Sequence, residues 1–211
     1  AIEKVAIANA RVLIAGPPGS GKELAARTLH NSSSRSSGPF IALNAATIMP
    51  DSMEMELFGA EETPGSPRRI GAFEEAHGGT LYLDEIADMP KETQGKILRV
   101  LIDQSFQRVG GSSKVTVDIR VISSTSRDLA REIEMGRFRE DLLHRLSVVP
   151  LRVPGLAERR DDIPLLIDYF LDQISQSAGI PRRLIADDAL AILQSHDWPG
   201  NVRQLRNNIE R

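Results

Sequence analysis

The chain has 211 residues, 41% of them hydrophobic, and a net charge of −3. That length suits one domain, or one with a small satellite, and the apolar content is enough to bury a core; the acidic balance argues against a free-standing nucleic-acid binder, which would carry a strong basic excess. Cysteine is absent, which excludes disulfides and Cys-ligated zinc and fits a reducing, cytoplasmic compartment, and no apolar run approaches the roughly 20 residues that span a membrane.

Ala1 opens the chain without a signal peptide. The sequence starts inside an apolar-patterned segment and stops inside a helical one, so it reads as a module of a longer protein. The first strand-like run, Val12–Ala15, leads into Gly16-Pro-Pro-Gly-Ser-Gly-Lys-Glu23 and a helical pattern over Lys22–Leu29. Strand, glycine-rich turn and helix start together make a phosphate-binding loop. Gly16, Gly19 and Gly21 let backbone N–H groups turn inward around an anion that a side chain would block. The helix aims its positive end at the same anion, and Lys22 reaches the outer phosphates of a nucleoside triphosphate, taken here as ATP. Pro17, Pro18, Ser20, Glu23 and Leu24 complete the candidate nucleotide-binding segment. Glu23 stands where the general motif has the Ser or Thr that holds magnesium, so the metal must depend more on other ligands.

Asn31–Gly38 is serine-rich and reads as a surface loop. Phe40–Asn44 and Thr80–Asp84 are further strands, and the second ends in the pair Asp84-Glu85. A carboxylate at a strand's C-terminal end can hold Mg2+ through water, which is the role expected of Asp84. Glu85, one residue closer to the crevice, can polarise an attacking water. The alternative for an isolated acidic pair is a helix cap; the phosphate loop upstream favours the catalytic reading.

A helical pattern covers Pro90–Ile102, a strand Ile119–Thr125, a helix Phe138–Leu146 and a strand Val148–Val153. Strands alternating with helices predict an α/β fold with a parallel sheet covered on both faces, and the mostly continuous apolar runs suit buried strands. On the helix 138–146, Arg139 falls near the stripe Phe138, Leu142 and Leu146, and Arg145 lies to one side. A cation near an apolar stripe needs an anionic partner or an interface. Two readings stay open: the arginines reach a neighbouring subunit's γ-phosphate, or they pair locally with Glu140 or Asp141.

After Pro154 the strand signal ends. The stripe Ile163, Ile167, Phe170 and Ile174 predicts a helix capped by Asp161 or Asp162 and ending near Gly179. Further helices are expected over Asp187–Ser195 and from Asn201 onward, with Val202, Leu205 and Ile209 on one face. The expected division is thus an α/β core over 1–154 and a helical lid over 155–211. Trp198 suits a packing anchor at a turn. Arg203 either folds over the nucleotide or is an exposed helix arginine.

Several ordered blocks carry a resemblance: GPPGSGKE (16–23), FIALNAA (40–46), ELFG (56–59), GAFEEAHGGTLYLDEI (71–86), ILRVL (97–101), FQRVGG (106–111), GRFREDLLHRL (136–146) and WPGNVRQLRN (198–207). Over essentially its whole length the chain resembles the AAA+ central domain of bacterial enhancer-binding proteins, the activators of sigma-54 RNA polymerase. The resemblance implies a P-loop AAA+ ATPase fold, a five-stranded parallel sheet between helices with a helical lid. It implies ATP or ADP with Mg2+ as cofactors, and self-association from dimers to hexameric rings with nucleotide between subunits. It makes Glu23 after the lysine ordinary. It assigns Asn44 as the residue that holds the catalytic Glu85 until the nucleotide state changes, Arg139 and Arg145 as trans-acting fingers, and Arg203 as the lid's nucleotide sensor.

The chain departs from the family in two places. Ser124-Thr125-Ser126 replaces Ala-Thr-Asn, so Ser126 stands for the sensor asparagine; its hydroxyl bonds a water or phosphate with less reach. Between Gly59 and Gly71 the family carries a loop with Gly-Ala-Phe-Thr-Gly-Ala whose tip touches the sigma factor. Here residues 60–70 are shorter, lack that tip and are stiffened by Pro64 and Pro67. Such a loop marks the NtrX-type response regulators of nitrogen-sensing two-component systems. The resemblance then implies a flanking receiver that meets a sensor kinase and a C-terminal helix-turn-helix that binds DNA, both outside this chain. An ATP-hydrolysing regulator, a nucleotide-binding switch with little hydrolysis, and an ordinary sigma-54 activator are the three functions to separate.

Overall fold

The computed structural model describes residues 2–211; Ala1, where the sequence shows no signal peptide, lies outside them. No helix among the described residues is long and apolar enough to cross a membrane. The chain divides into two compact units, the residues through Ala15 with Lys22–Leu151, and Gly16–Gly21 with Arg152–Arg211.

The first unit holds, in chain order, α1 (Ile2–Ile7), β1 (Val12–Ala15), α2 (Lys22–Asn31), β2 (Phe40–Asn44), α3 (Pro50–Phe58), α4 (Ala72–Glu75), β3 (Thr80–Asp84), α5 (Lys91–Asp103), β4 (Ser105–Gln107), β5 (Lys114–Thr116), β6 (Arg120–Thr125), α6 (Leu129–Glu134), α7 (Glu140–Leu146) and β7 (Val149–Arg152). A five-stranded sheet has the order β2-β3-β6-β1-β7, and β4 and β5 form a separate antiparallel hairpin. The pairings β2–β3, β3–β6 and β6–β1 are parallel. Every residue of β6 is buried, whereas β2, at the end of the order, is mostly half-exposed. This is why β3 reads as an unbroken apolar run: with helices over both faces there is no wet side to alternate with. Leu57, Phe73, Leu81, Leu83, Ile97, Val121 and Leu142 share one apolar cluster, each contributing about 1.5–3 kcal/mol by burial.

The helix expected over Phe138–Leu146 is shorter. It starts at Glu140, with Arg139 as an extended N-cap at φ −91° and ψ 127°. The cause is Gln94, fully buried on α5. Its amide donates to the carbonyls of Met89 (2.9 Å) and Arg137 (3.0 Å), and its oxygen accepts from the Arg139 N–H (2.9 Å). These bonds hold the entry to α7 extended, so Arg139 does not lie along the helical stripe as the periodicity suggested.

Residues 60–70 fold into a small hairpin. Ala60 and Arg69 exchange backbone hydrogen bonds at 2.9 Å, and Thr63 and Ser66 do so at 3.0 and 2.9 Å around Pro64-Gly65. Gly65 lies at φ +87°, as the third residue of a type II turn requires. At the neck a Cβ on Gly71 would lie 2.2 Å from the Gly59 nitrogen, so no side chain fits there. Ion pairs pin the hairpin: Arg69–Glu56 at 2.6 Å, Arg68–Glu74 at 3.0 Å, and the buried Arg108 to Glu61 at 2.6 Å and Glu74 at 2.9 Å. The Arg108 guanidinium's hydrogen bonds are the main reason the Glu74 carboxyl sits below the ordinary carboxylate range. We expect Arg108→Ala to speed tryptic cleavage after Arg68 or Arg69 about tenfold or more, because losing charge-assisted bonds raises the open population by that order. Limited proteolysis checks this; an unchanged rate means the pins do not hold the loop.

The second unit contains α8 (Ile163–Ala178), α9 (Asp187–Ser195) and α10 (Asn201–Glu210). Gly179 ends α8 in the left-handed conformation, φ +63°. Leu156, Ile163, Ile167, Phe170, Leu171, Trp198 and Leu205 form its core, with Val202 and Ile209 packed against them. Trp198 is 4% exposed and donates its indole N–H to the Leu193 carbonyl at 2.7 Å, which is the anchoring role expected of it.

Candidate active site

The register of the parallel strands sets the core part of the site. Asn44 is level with Asp84 across β2 and β3, and Leu83 is level with Ser123 across β3 and β6. Polar side chains therefore gather at the C-terminal ends of adjacent strands, where open α/β sheets bind ligands.

Asp84 is held from several sides. The Asn44 Nδ2 donates to its Oδ2 at 3.0 Å, the Tyr82 hydroxyl lies 3.0 Å from its Oδ1, and the Ser124 hydroxyl donates to that same oxygen. Glu85 follows with φ +53°, a left-handed conformation unusual for a non-glycine residue. That turn carries its side chain away from the strand direction. Its Oε2 accepts from the Ser126 N–H (2.9 Å) and hydroxyl (2.8 Å), and its Oε1 pairs with the Lys22 Nζ at 3.2 Å. Burial alone would raise the Glu85 pKa, but the bonds from Ser126 and the charge and bond of Lys22 outweigh it, and the carboxyl stays below its ordinary range. Glu85 thus stands as a carboxylate held by Ser126 on one oxygen and by Lys22 on the other.

Asn44, expected on Glu85, is on Asp84 here, because strand register faces it to Asp84 while the left-handed turn removes Glu85. Ser126, expected to bond a water or phosphate, donates to Glu85. Glu23 and Leu24 are both exposed; Glu23 accepts from its helix neighbour Arg27 at 2.8 and 3.0 Å. Lys22 is 6% exposed. Arg139 forms a two-bond pair with Asp141, at 2.7 and 3.0 Å, the local arrangement that the sequence left open. Arg145 is exposed and makes no ion pair among the described residues.

The loop Gly16–Gly21 belongs to the second unit. Gly19 and Gly21 have φ of +74° and +104°, and a Cβ on Gly19 would lie 2.4 Å from the Gly200 carbonyl oxygen. Three residues of the unit tie the loop down. The Asn201 amide donates to the Pro18 carbonyl at 2.9 Å, the Arg203 N–H to Gly19 at 3.3 Å, and the Arg159 guanidinium to Ser20 at 2.6 Å. The Pro17 carbonyl accepts from the Ser20 N–H at 3.3 Å. Among the described residues the Ser20 hydroxyl oxygen and the Arg159 Nε are buried and have no hydrogen-bond partner, and buried polar atoms of that kind ask for a ligand. Arg203 itself is exposed, so its backbone, not its side chain, makes the contact seen. Arg159 and Asn201 were invisible as site residues in the sequence: only long-range folding brings them to the loop.

Among the described residues no cluster of three or more His, Asp or Glu side chains could hold a metal alone. The donor chemistry nevertheless fits magnesium, which characteristically takes one or two carboxylates and completes its shell with substrate phosphates and water. Asp84 is such a carboxylate, fixed at both oxygens.

A sheet of this order, a glycine loop after its first strand, an acidic pair ending a central strand and a helical lid define a P-loop nucleotide-binding protein of the AAA+ class. The chain matches the Sigma-54 interaction domain family over residues 1–152 and the AAA+ ATPase lid domain over 157–211; it belongs to the sigma-54 interaction domain family. It is 64% identical over 210 residues to the nitrogen assimilation regulatory protein NtrX of Azorhizobium caulinodans, covering 100% of this chain and 46% of that protein. It is 48% identical over 203 residues to the transcriptional regulator NtrC of Azospirillum brasilense, covering 95% of this chain and 42% of that one. The crystal structure of NtrX from Brucella abortus in complex with ADP superposes with a TM-score of 0.95 at 61% identity, over 100% of this chain and 46% of that chain. Another from the same organism, in complex with ATP, gives 0.94 at 61% identity, over 100% and 48%. The chain thus spans less than half the length of these relatives, and the family and the NtrX-type branch expected from the residues are those found.

Proposed function

We propose that this chain is the ATP-binding and ATP-hydrolysing central domain of a response regulator that controls transcription of nitrogen-related genes, and that nucleotide state sets its self-association from dimers to hexameric rings. The observation that carries the reading is the pairing of Lys22 with Glu85 beside Asp84. Lys22 and Glu85 meet at 3.2 Å, Asp84 is the residue before Glu85 in the chain, and Lys22 follows the glycine loop directly. The Brucella relatives in complex with ADP and ATP support the choice of nucleotide.

In this reading the backbone N–H groups of Gly16–Gly21 and the Ser20 hydroxyl take the phosphates. Lys22 leaves Glu85 for the outer phosphates, which frees Oε1 to accept a proton from the attacking water. Ser126 keeps Oε2 and so keeps the carboxylate aimed. Asp84 is the residue that would hold magnesium, and bound magnesium would neutralise charge on the outer phosphates. Arg139 releases Asp141, or Arg145 acts as it stands, to reach the γ-phosphate of a neighbouring subunit. Arg203 senses the nucleotide from the lid. The receiver that meets a sensor kinase and the helix-turn-helix that binds DNA are carried by parts of the protein beyond this chain.

The test is turnover of ATP as a function of protein concentration. A rate per subunit that rises with concentration is expected, because trans-acting arginines need a neighbour; background turnover at every concentration would leave only a nucleotide-binding switch. The pinned hairpin at 60–70 favours one further statement. The loop with which the family touches sigma-54 is here tied by Arg68, Arg69 and Arg108 and lacks the family's tip. We expect no ATP-analogue-dependent binding to the sigma factor in a pull-down with purified components, and a stable complex would restore the ordinary activator.

A further inference from the structure

We propose that Tyr82 and Ser124 are positioning residues that set the metal selectivity of Asp84. The inference rests on the reading that the site takes a magnesium-bound nucleotide, and it concerns side chains to which that reading gives no role.

Tyr82 and Asp84 are two apart on β3 and so project to the same face. Ser124 lies on the neighbouring β6, one step beyond the Leu83–Ser123 pair. Tyr82 is 1% exposed and Ser124 fully buried. The Tyr82 hydroxyl is 2.9 Å from the Ser124 oxygen and 3.0 Å from Asp84 Oδ1, and the Ser124 hydroxyl donates to Oδ1. The tyrosine ring packs on Phe40 with centroids 6.0 Å apart, a contact that phenylalanine would make equally well. The hydroxyl is what tyrosine adds at this buried place, and the partners it finds are the carboxylate and the serine that holds it.

A carboxylate has about four lone-pair sites. Oδ1 is engaged by the buried pair of hydroxyls: Ser124 donates to it, and the one Tyr82 proton is shared between Oδ1 and the Ser124 oxygen. The Asn44 amide takes one site on Oδ2 at 3.0 Å and leaves another open, and the carboxyl plane cannot rotate without breaking bonds on both sides. A carboxylate so held offers one oxygen in one direction, whether to the ion or to one of the ion's waters. That suits Mg2+, which demands near-ideal octahedral geometry and retains its waters, and disfavours Ca2+, which prefers flexible and often bidentate carboxylates.

The test uses the 211-residue chain and a fluorescent, non-hydrolysable ATP analogue, titrated with MgCl2 or CaCl2 for wild type, Tyr82→Phe and Ser124→Ala. Loss of an outer-shell bond is expected to raise the half-saturating Mg2+ about tenfold, to leave analogue affinity in EDTA unchanged, and to narrow the preference for Mg2+ over Ca2+. That split separates positioning from a general structural defect. Magnesium and calcium curves of both variants that superimpose on wild type overturn the proposal. Wild type that fails to bind the analogue, with or without metal, instead overturns the nucleotide reading beneath it. Melting curves establish that each variant is folded; if Ser124→Ala is not, Tyr82→Phe decides alone, since it removes one oxygen and keeps the ring.

Discussion

On the proposed function, Glu85→Gln is expected to lower ATP turnover about 100- to 1000-fold while the protein still binds ATP at least as tightly as wild type. The first half follows from the loss of a base, since general acid–base groups contribute roughly 10²–10⁴. The second half follows from the geometry. In the native chain the Lys22 ammonium is paired with the Glu85 Oε1 at 3.2 Å in a site where both side chains are largely buried. A nucleotide must compete with that carboxylate for the lysine. Glutamine keeps one oxygen, which the two donors of Ser126 claim, and turns its NH2 toward Lys22, where donor meets donor. The attraction between Lys22 and residue 85 is lost, so the phosphates no longer compete with that carboxylate for the lysine. Lys22→Ala gives the opposite signature, weakened binding with Glu85 intact. The measurement is steady-state turnover beside equilibrium binding of ATP. A glutamine variant that hydrolyses at the wild-type rate removes Glu85 from the chemistry, and with it the motor reading.

The same pair of residues marks how far the sequence could be read. Three strands, Val12–Ala15, Phe40–Asn44 and Thr80–Asp84, have the bounds their apolar runs predict, and so does the helix Asp187–Ser195. Periodicity is a local signal and these elements are locally consistent. The four-residue α4 and the three-residue strands β4 and β5 left no such signal, because elements that short are stabilised by tertiary packing, not by their own propensity. Arg139 was misplaced for a related reason: a single buried side-chain amide, Gln94, delays the start of α7 by two residues relative to its apolar pattern, and no local rule contains Gln94. Within the site, Lys22 and the pair Asp84-Glu85 were legible because each sits in a contiguous motif, 16–23 and 80–85. Ser126 was named, but its partner was not, since that depends on Glu85 adopting a left-handed turn. Tyr82 and Ser124 disappeared into apolar strands. The available clue was weak but physical: a tyrosine two residues before a functional aspartate on a strand must share its face.

Arg120→Ala is expected to destabilise the chain by about 3 kcal/mol, the sum for stranded buried carbonyls and an unfilled space, and to lower its melting temperature by roughly 6–12 °C. Arg120 is 2% exposed, and its guanidinium donates to the carbonyls of Val5 (2.8 Å), Ala6 (2.8 Å) and Ala10 (3.1 Å). Among the described residues it makes no ion pair. Burial, with a smaller repulsion from Arg35, therefore holds its pKa below the ordinary arginine value, yet the group remains a cation because arginine starts so high. What offsets the charge is the negative end of α1: Val5 and Ala6 are among the last carbonyls of that short helix, which have no partner within it. Removing the side chain leaves those oxygens dry and unpaired, and a six-residue helix has little stability of its own. Loss of α1 should therefore precede global unfolding. Hydrogen exchange resolved by peptide is the discriminating measurement, with fast exchange over residues 2–10 expected in the variant and slow exchange retained in β3 and β6. A variant that melts with wild type, or that loses protection uniformly, would mean that Arg120 does not fasten the first helix to the sheet. Arg120 opens the strand that ends at Thr125, next to the Ser126 that holds Glu85, so slow exchange retained in β6 also predicts that the Ser126–Glu85 bonds persist in the variant.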